Sequence, residues 1–463
     1  MVMSLAILFL RVYFSFFLLP SSTQAFAVST YALICSAYVW LIIKRLWTPV
    51  YIMSFGCYKP PQNFRVPFAS YVEHCRLLKD RWDESSIQFQ EKVLSKAGMS
   101  QLTALPTSFH YLPPRITLQL ERQECETVLF AAVDEILSSV NVKPHQIGVV
   151  VSNCSAFSPT PSMTSMIINK YKLPVDVKSY TLAGMGCSVG PLALDLAKRV
   201  LTIHRNKYAL IVSTENLTRS LYFGNERSML VTNCLFRVGG SAVLLSNKWA
   251  DRKVAKYKIM YTARSHMGAI DMCYRSVYQE EDANGTVGVG LSKDLMKSAA
   301  LALQHNMRIL GPKVLPLSEI FLYTLNQLKV RFSAKGEAKQ YIPNFKLAFD
   351  NICIHAGGTA VIRAMEKALD LPFKYSEPSH MTLYRFGNIS SASIWYELAY
   401  EESKGRVKQG NRVWVVGLGS GFKCCSAYLK ALKTMDMSCS SQCWSDTIAE
   451  LPVELPSTSH HCH

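Results

Sequence analysis

Beyond Arg45 this 463-residue chain has no apolar run long enough to span a bilayer, which excludes a polytopic transporter. Cysteine is sparse, 14 residues in all and about 3% of the chain, too few for a small disulfide scaffold. Charge is thin as well, at 18% against 49% hydrophobic, and that balance excludes disorder. Acids are the scarcer sign, with Asp+Glu 33 against Lys+Arg 50. No basic run, paired-Cys zinc module or aromatic RNA-binding signature accompanies the excess, so nucleic acid is not the expected partner. Lys and Arg are absent after Lys433, where Asp436, Asp446, Glu450 and Glu454 form an acidic tail. The body therefore carries the whole positive field, which suits anionic lipid or a phosphorylated substrate.

What is present begins with two apolar segments, about 1–19 and 25–43, separated by Pro20 and a short polar stretch. At 1.5 Å per residue the second makes roughly 28 Å of helix, close to the thickness of a bilayer core. Lys44 and Arg45 follow it, so the positive-inside rule places the rest of the chain in the cytosol, behind a membrane hairpin over 1–45. A cleaved signal peptide ending near Ala25-Phe26-Ala27 is the rival reading; it lacks a basic start and is followed by a second span. Sequons stand at Asn153, Asn216, Asn284 and Asn388. A cytosolic body leaves them unmodified and the cysteines reduced.

Beyond Tyr58-Lys59-Pro60-Pro61, short β-rich runs alternate with helical patterns, which predicts an α/β class. Strands are expected at Ile147–Val151, Tyr208–Val212, Ser241–Leu245, Lys258–Tyr261, Asn351–Ile354 and Arg412–Val416. Helices are expected at Glu121–Val140, Leu291–Ile309 and Ser393–Lys404, with a loop over Asp282–Gly290. Two α/β halves, 46–255 and 256–433, meet near Asn247–Lys256, followed by a loose tail over 434–463. No internal sequence repeat is visible, so any duplication is structural only. Cys439, Cys443 and His460-His461-Cys462-His463 in the tail lack the fixed spacing of a metal site, and no metal is expected.

Three short motifs carry chemistry. In Gly184-Met185-Gly186-Cys187-Ser188-Val189-Gly190-Pro191, glycines allow a tight turn and the apolar series Leu192, Leu196, Val200 continues as a helix. Cys187 then stands at a helix start, where the dipole favours a thiolate. Ile352-Cys353-Ile354-His355-Ala356-Gly357-Gly358 reads as a strand ending in His355, and Asn388 follows Gly387 in a turn whose small residues open a helix. A His and a non-titrating Asn beside a thiol can hold an oxyanion or enolate.

These motifs resemble the condensing enzymes of the thiolase superfamily, and more narrowly the plant 3-ketoacyl-CoA synthases that elongate very-long-chain fatty acids. The resemblance runs from about Val50 to Lys433. It includes His110-Tyr111-x-Pro113-Pro114, Ser213-Thr214-Glu215-Asn216, Asn233-Cys234-Leu235-Phe236-Arg237-Val238-Gly239-Gly240 and Gly419-Ser420-Gly421-Phe422-Lys423. It implies a thiolase-like fold of two similar α/β halves behind a membrane hairpin at the endoplasmic reticulum, with the catalytic body facing the cytosol. It also implies that Cys187 receives the acyl group from acyl-CoA, while His355 and Asn388 bind the malonyl-CoA thioester and its enolate. Ser420, between Gly419 and Gly421, would give a backbone N–H to the oxyanion hole, and His266 matches a family position without an assigned role. The implied partners are acyl-CoA, malonyl-CoA, membrane lipid, a second copy of the chain, and the ketoacyl reductase, dehydratase and enoyl reductase of an elongase. No cofactor is implied, because loss of CO₂ drives the condensation.

The chain departs from the family pattern at Ser54, at Val231-Thr232 and at Gly290, none of them in the Cys–His–Asn set. Two other readings stay open: a type III polyketide synthase, which condenses repeatedly with the same three residues, and a catalytically weak partner in an elongase complex. Lys170 and Phe236 favour the elongating synthase. A thiolase would place a second Cys just before its late Gly-rich loop, whereas Cys424 and Cys425 follow it here.

Overall fold

In this computed structural model the described residues are 30, 33–37, 49–78, 80–332, 341–438 and 440–454. Met1–Pro49 and Val50–His463 form separate units. Within the first, residues 33–37 are helical. No helix among the described residues is long and apolar enough to cross a membrane. The expected spans, 1–19 and 25–43, otherwise lie outside the described residues.

The second unit is built on eleven strands: β1 (Tyr51–Cys57), β2 (Ile147–Asn153), β3 (Lys178–Leu182), β4 (Tyr208–Thr214), β5 (Gly240–Ser246), β6 (Tyr257–His266), β7 (Val277–Glu281), β8 (Val287–Leu291), β9 (Asn351–Ile354), β10 (Arg412–Gly419) and β11 (Lys423–Ala431). Nine of them form one mixed sheet in the order β3-β2-β4-β5-β1-β6-β11-β10-β9. Counted outward from its centre, the sheet repeats itself. The β1–β5 and β5–β4 pairs are antiparallel and β4–β2 parallel; β6–β11, β11–β10 and β10–β9 follow the same series. The duplication that leaves no trace in the residues is thus plain in the pairing. Residues 247–256 run between β5 and β6, and β1 meets β6 at only two register positions.

Six helices matter to the site: α1 (Leu118–Ser139), α2 (Val189–Ile203), α3 (Leu295–Val314), α4 (Thr359–Leu369), α5 (Phe373–Phe386) and α6 (Ser393–Ser403). Strand alternation decides how they stack. Ala209 and Ile211 of β4 and Val413 and Val415 of β10 point into one central core with Ala193, Leu194 and Ala197 of α2 and Trp395, Leu398 and Ala399 of α6. Their neighbours face outward: Leu210 and Val212 pack on α1, and Trp414 and Val416 on α3. Covered on both faces, β4 and β5 are buried at every position and largely apolar, with Ser213, Thr214, Ser241 and Ser246 at their ends.

Three expectations change. Of the expected 282–290 loop only 282–286 is a turn; 287–290 belong to β8 of a β7–β8 hairpin, with Tyr278 opposite Gly290, and Gly288 sits in a close approach, since a Cβ there would stand 2.4 Å from Met229 Sδ. Leu291 consequently ends a strand, and the helix begins at Leu295. The tail, expected to be loose from Thr434, is folded as far as it is described. Trp444 is fully buried, donates to the Tyr396 carbonyl at 2.8 Å and meets Phe386 and Tyr400 edge-on. Asp446 pairs with Lys59, Arg65 and Arg385. Burial alone would raise the Asp446 carboxyl, but Lys59 and Arg385 hold it below its usual value. An acidic strip without a cation of its own is therefore matched to cations of the body. Cys443 is buried in the central core, and Cys439 and 460–463 lie outside the described residues. Trp444→Ala is expected to cost about 3–5 kcal/mol and to lower Tm by ~5 °C in a thermal melt; an unchanged Tm would mean the tail does not stabilise the body.

Candidate active site

The two central helices begin at the same place, from opposite halves of the sheet. Gly186–Ser188 forms a single 3₁₀ turn leading into α2, and Ser390–Ala392 forms one leading into α6. They touch closely: a Cβ on Gly190 would stand 2.6 Å from the Ser391 carbonyl oxygen. Cys187 and Ser390 therefore face each other across the pseudo-twofold, with the Ser390 hydroxyl 3.4 Å from Cys187 Sγ.

Cys187, His355 and Asn388 all line one cavity of about 470 Å³. His355 follows the last residue of β9, and its N–H is tied to the Val416 carbonyl of β10 at 3.0 Å. Asn388 is fixed on every side. Its backbone N–H donates to Leu235 and its carbonyl accepts from Arg237; its amide donates to the Gly357 carbonyl at 3.1 Å, and its side-chain oxygen accepts from Ser390 N–H. Gly387 must be glycine here, with φ +74° and Arg237 Cγ 2.4 Å from where a Cβ would lie.

Burial sets the protonation states. It pushes the Cys187 thiol up to about 12; the Ser390 hydroxyl opposes the rise and the Glu215 carboxylate adds to it. The helix-start thiolate expected from the sequence is overruled, since removing the sulfur from water costs the anion more than one helix end returns. Burial likewise lowers the His355 imidazole to about 4, against a backbone hydrogen bond with Ser390, and its Nδ1 has no partner among the described residues. The resting pair is a neutral thiol and a neutral imidazole.

Two residues at the site escaped the sequence reading. Glu215, just past β4, accepts from the N–H groups of Ser155 and Ala156 and faces the Ser390 hydroxyl at 3.2 Å. Ser390 thus bridges Glu215 and Cys187. Its only signal was membership of the small-residue run after Asn388, and that of Glu215 was its place in Ser213-Thr214-Glu215-Asn216. Ser390→Ala removes the side-chain hydroxyl that faces Cys187 Sγ at 3.4 Å. It is expected to slow acylation of Cys187 by about 10-fold with little change in KM, measured by rapid-quench acyl transfer; equal rates would remove Ser390 from the step.

The late Gly-rich loop closes over the nucleophile turn. A Cβ on Gly419 would stand 2.6 Å from Ser188 N, and one on Gly186 2.6 Å from Ser420 N. Ser420 and Gly421 line the cavity, and the Ser420 hydroxyl donates to the Gly184 carbonyl. His266 is not brought to this place. It is exposed at the end of β6 opposite Lys423, where its Nδ1 accepts from Gly268 N–H. No cluster that could hold a metal ion occurs among the described residues. Asn153, Asn216 and Asn388 are buried, which leaves Asn284, in the β7–β8 turn, as the exposed sequon asparagine.

Away from Cys187 the cavity is apolar. Leu217, Leu221 and Phe236 wall it on one side, and Val277 and Leu291 of the hairpin with Leu295 of α3 on the other. Such a space accepts a flexible hydrocarbon, each buried methylene contributing about 0.8 kcal/mol.

The family model described as FAE1/Type III polyketide synthase-like protein matches residues 42–332, and that for the 3-Oxoacyl-(acyl-carrier-protein) synthase III C terminal matches 348–431. The chain is 53% identical over 407 residues to 3-ketoacyl-CoA synthase 4 of Arabidopsis thaliana, covering 88% of this chain and 78% of that protein. It is 48% identical over 435 residues to 3-ketoacyl-CoA synthase 17 of the same plant, covering 94% and 88%. Among solved structures, a fungal type III polyketide synthase, ORAS, superimposes with a TM-score of 0.64 at 20% identity over 82% of this chain and 99% of that one. The tetrahydroxynaphthalene synthase of Streptomyces coelicolor gives 0.62 at 17%, over 83% and 100%. The structural likeness carries the thiolase-like fold alone.

Proposed function

This chain belongs to the 3-ketoacyl-CoA synthases, condensing acyltransferases of fatty-acid elongation, and from that premise we propose that Cys187 is the residue that carries the acyl chain. The observation behind the reading is the meeting of Cys187, His355 and Asn388 on one mostly apolar cavity. In the first step the Cys187 sulfur attacks the acyl-CoA thioester as His355 takes its proton. The carbon–sulfur bond to CoA breaks, and CoA leaves as the thiol with that proton. In the second, malonyl-CoA loses CO₂ and the electron pair of the broken carbon–carbon bond passes into a thioester enolate. The neutral imidazole and the Asn388 amide donate to its oxygen. The enolate carbon attacks the acyl carbonyl, the bond to Cys187 breaks with its electron pair on sulfur, 3-oxoacyl-CoA departs, and the thiolate takes a proton from solvent to return to the thiol. The backbone N–H groups of Cys187 and Ser420 suit the oxyanion formed in both acyl transfers.

The reading extends to the chain's surroundings. The 1–19 and 25–43 segments anchor it in the endoplasmic reticulum membrane as a hairpin, with the body on the cytosolic side. It works as a homodimer beside a ketoacyl reductase, a dehydratase and an enoyl reductase, and needs no cofactor. The excess of Lys and Arg faces lipid headgroups and CoA phosphates.

The matched family model, whose description joins FAE1 with type III polyketide synthases, supports a second reading, repeated condensation on one primer. Incubation with labelled malonyl-CoA and acyl-CoAs of graded length, followed by mass spectrometry of products, separates the two. One added two-carbon unit per primer, at a rate that depends on primer length, is expected. Products carrying several units would favour the polyketide reading, and no product with any primer would leave the weak partner.

A further inference from the structure

We propose that the helix Leu317–Phe332 is an interfacial helix that seats this face of the body on an anionic lipid bilayer, independently of the apolar segments at the start of the chain. The helix is divided along its length. At about 100° per residue, Leu317, Phe321, Leu325, Leu328 and Phe332 fall within a stripe about 80° wide. All five are exposed, Phe321 by 63% and Phe332 by 83%. Leu322 and Val330 are exposed as well, outside the stripe, and the side opposite it is held at two points: Glu319, the only acid between Lys313 and Phe332, is buried and accepts from Tyr341 and from Asn344 N–H, while Asn326 accepts from Tyr341 N–H. Five large apolar side chains in one line, facing nothing among the described residues, need a partner.

The flanks indicate which one. On the same projection Arg331 lies about 40° beyond one edge of the stripe and Lys329 about 40° beyond the other. Lys313, in the last turn of α3, adds a third exposed cation beside the start of the helix. An apolar stripe of Leu and Phe bordered by cations matches a helix lying in the headgroup layer, its rings below the phosphates and its cations among them. A second copy of the chain fits poorly. A twofold contact would bring each patch against itself, cations included, with no exposed acid on the helix to pair with them.

Photocrosslinking of the full chain tests the proposal. p-Benzoylphenylalanine is placed at Phe321, at Phe332 and, as a distant exposed control, at Asn284. Each protein is reconstituted in phosphatidylcholine vesicles with or without phosphatidylserine. Lipid adducts at 321 and 332 but not at 284 are expected. Their yield should fall about tenfold without phosphatidylserine or with Lys313→Glu, Lys329→Glu and Arg331→Glu combined. These exposed substitutions should leave condensation in detergent unchanged, which shows that the fold survives. Chain-to-chain adducts at 321 would assign the face to a second copy, and in microsomes a dominant adduct to another protein would assign it to that partner. Either result, or equal lipid labelling at all three positions, overturns the proposal.

Discussion

Cys187→Ala is expected to lower condensation by about 10⁴-fold or more while the chain still decarboxylates malonyl-CoA slowly. The first effect follows because no other thiol among the described residues lines the cavity. The second follows because His355 and Asn388 keep their positions, and Asn388 is held by four hydrogen bonds that do not involve Cys187. Intact-protein mass spectrometry after acyl-CoA exposure should show an acyl adduct on wild type and none on the variant. An adduct on both would place the nucleophile elsewhere. The pH dependence has a definite sign as well. With the thiol pushed up to about 12, alkylation by iodoacetamide should keep rising with pH through the neutral range, without the plateau that a stable thiolate gives. With the imidazole lowered to about 4, His355 stays neutral down to that value, so the acid limb of acylation attributable to it should lie well below the ordinary histidine range.

Asn388→Asp should separate the two stages. The substitution is nearly isosteric, but it replaces a donor by an anion facing the Gly357 carbonyl and the forming enolate. Loss of one oxyanion donor costs about 10²–10³-fold, and a negative charge in the same place adds to it. Acylation of Cys187 needs no enolate. The acyl-enzyme should therefore form at close to the wild-type rate and accumulate, visible as a stable mass increase, while 3-oxoacyl product falls by at least about 10²-fold. Parallel loss of both stages would show that Asn388 acts earlier. Because Ser390 N–H donates to the Asn388 side-chain oxygen, which a carboxylate preserves, the turn should hold and the melting temperature should stay near wild type.

Much of this arrangement was legible in the residues. Apolar runs bounded by glycine and polar turns located six strands, β2, β4, β5, β6, β9 and β10, while β1, β3, β7, β8 and β11 went unread. Cys187, His355 and Asn388 announced themselves through their glycines, which permit backbone turns few other residues can make. Protonation was not legible, since it depends on how deeply the fold sinks each group, and here burial reversed the expected thiolate. Glu215 and Ser390 were hidden for a related reason. Their role comes from a meeting between opposite halves, and neither residue type is unusual in its local setting. The tail was misread because an acidic strip is indistinguishable from a solvated one until Lys59, Arg65 and Arg385 are seen to surround Asp446.

The crossing of the two helix starts has a consequence during synthesis. The ribosome releases Cys187 long before Ser390, which lies 203 residues later, and before His355 and Asn388. Until the second half is made, Cys187 has neither His355 on its cavity nor the Ser390 hydroxyl beside it, and the lining from the hairpin and α3 is missing. A nascent chain is then an ordinary protein with an ordinary cysteine. On the proposed function it cannot condense, because Cys187, His355 and Asn388 meet on one cavity only in the completed polypeptide.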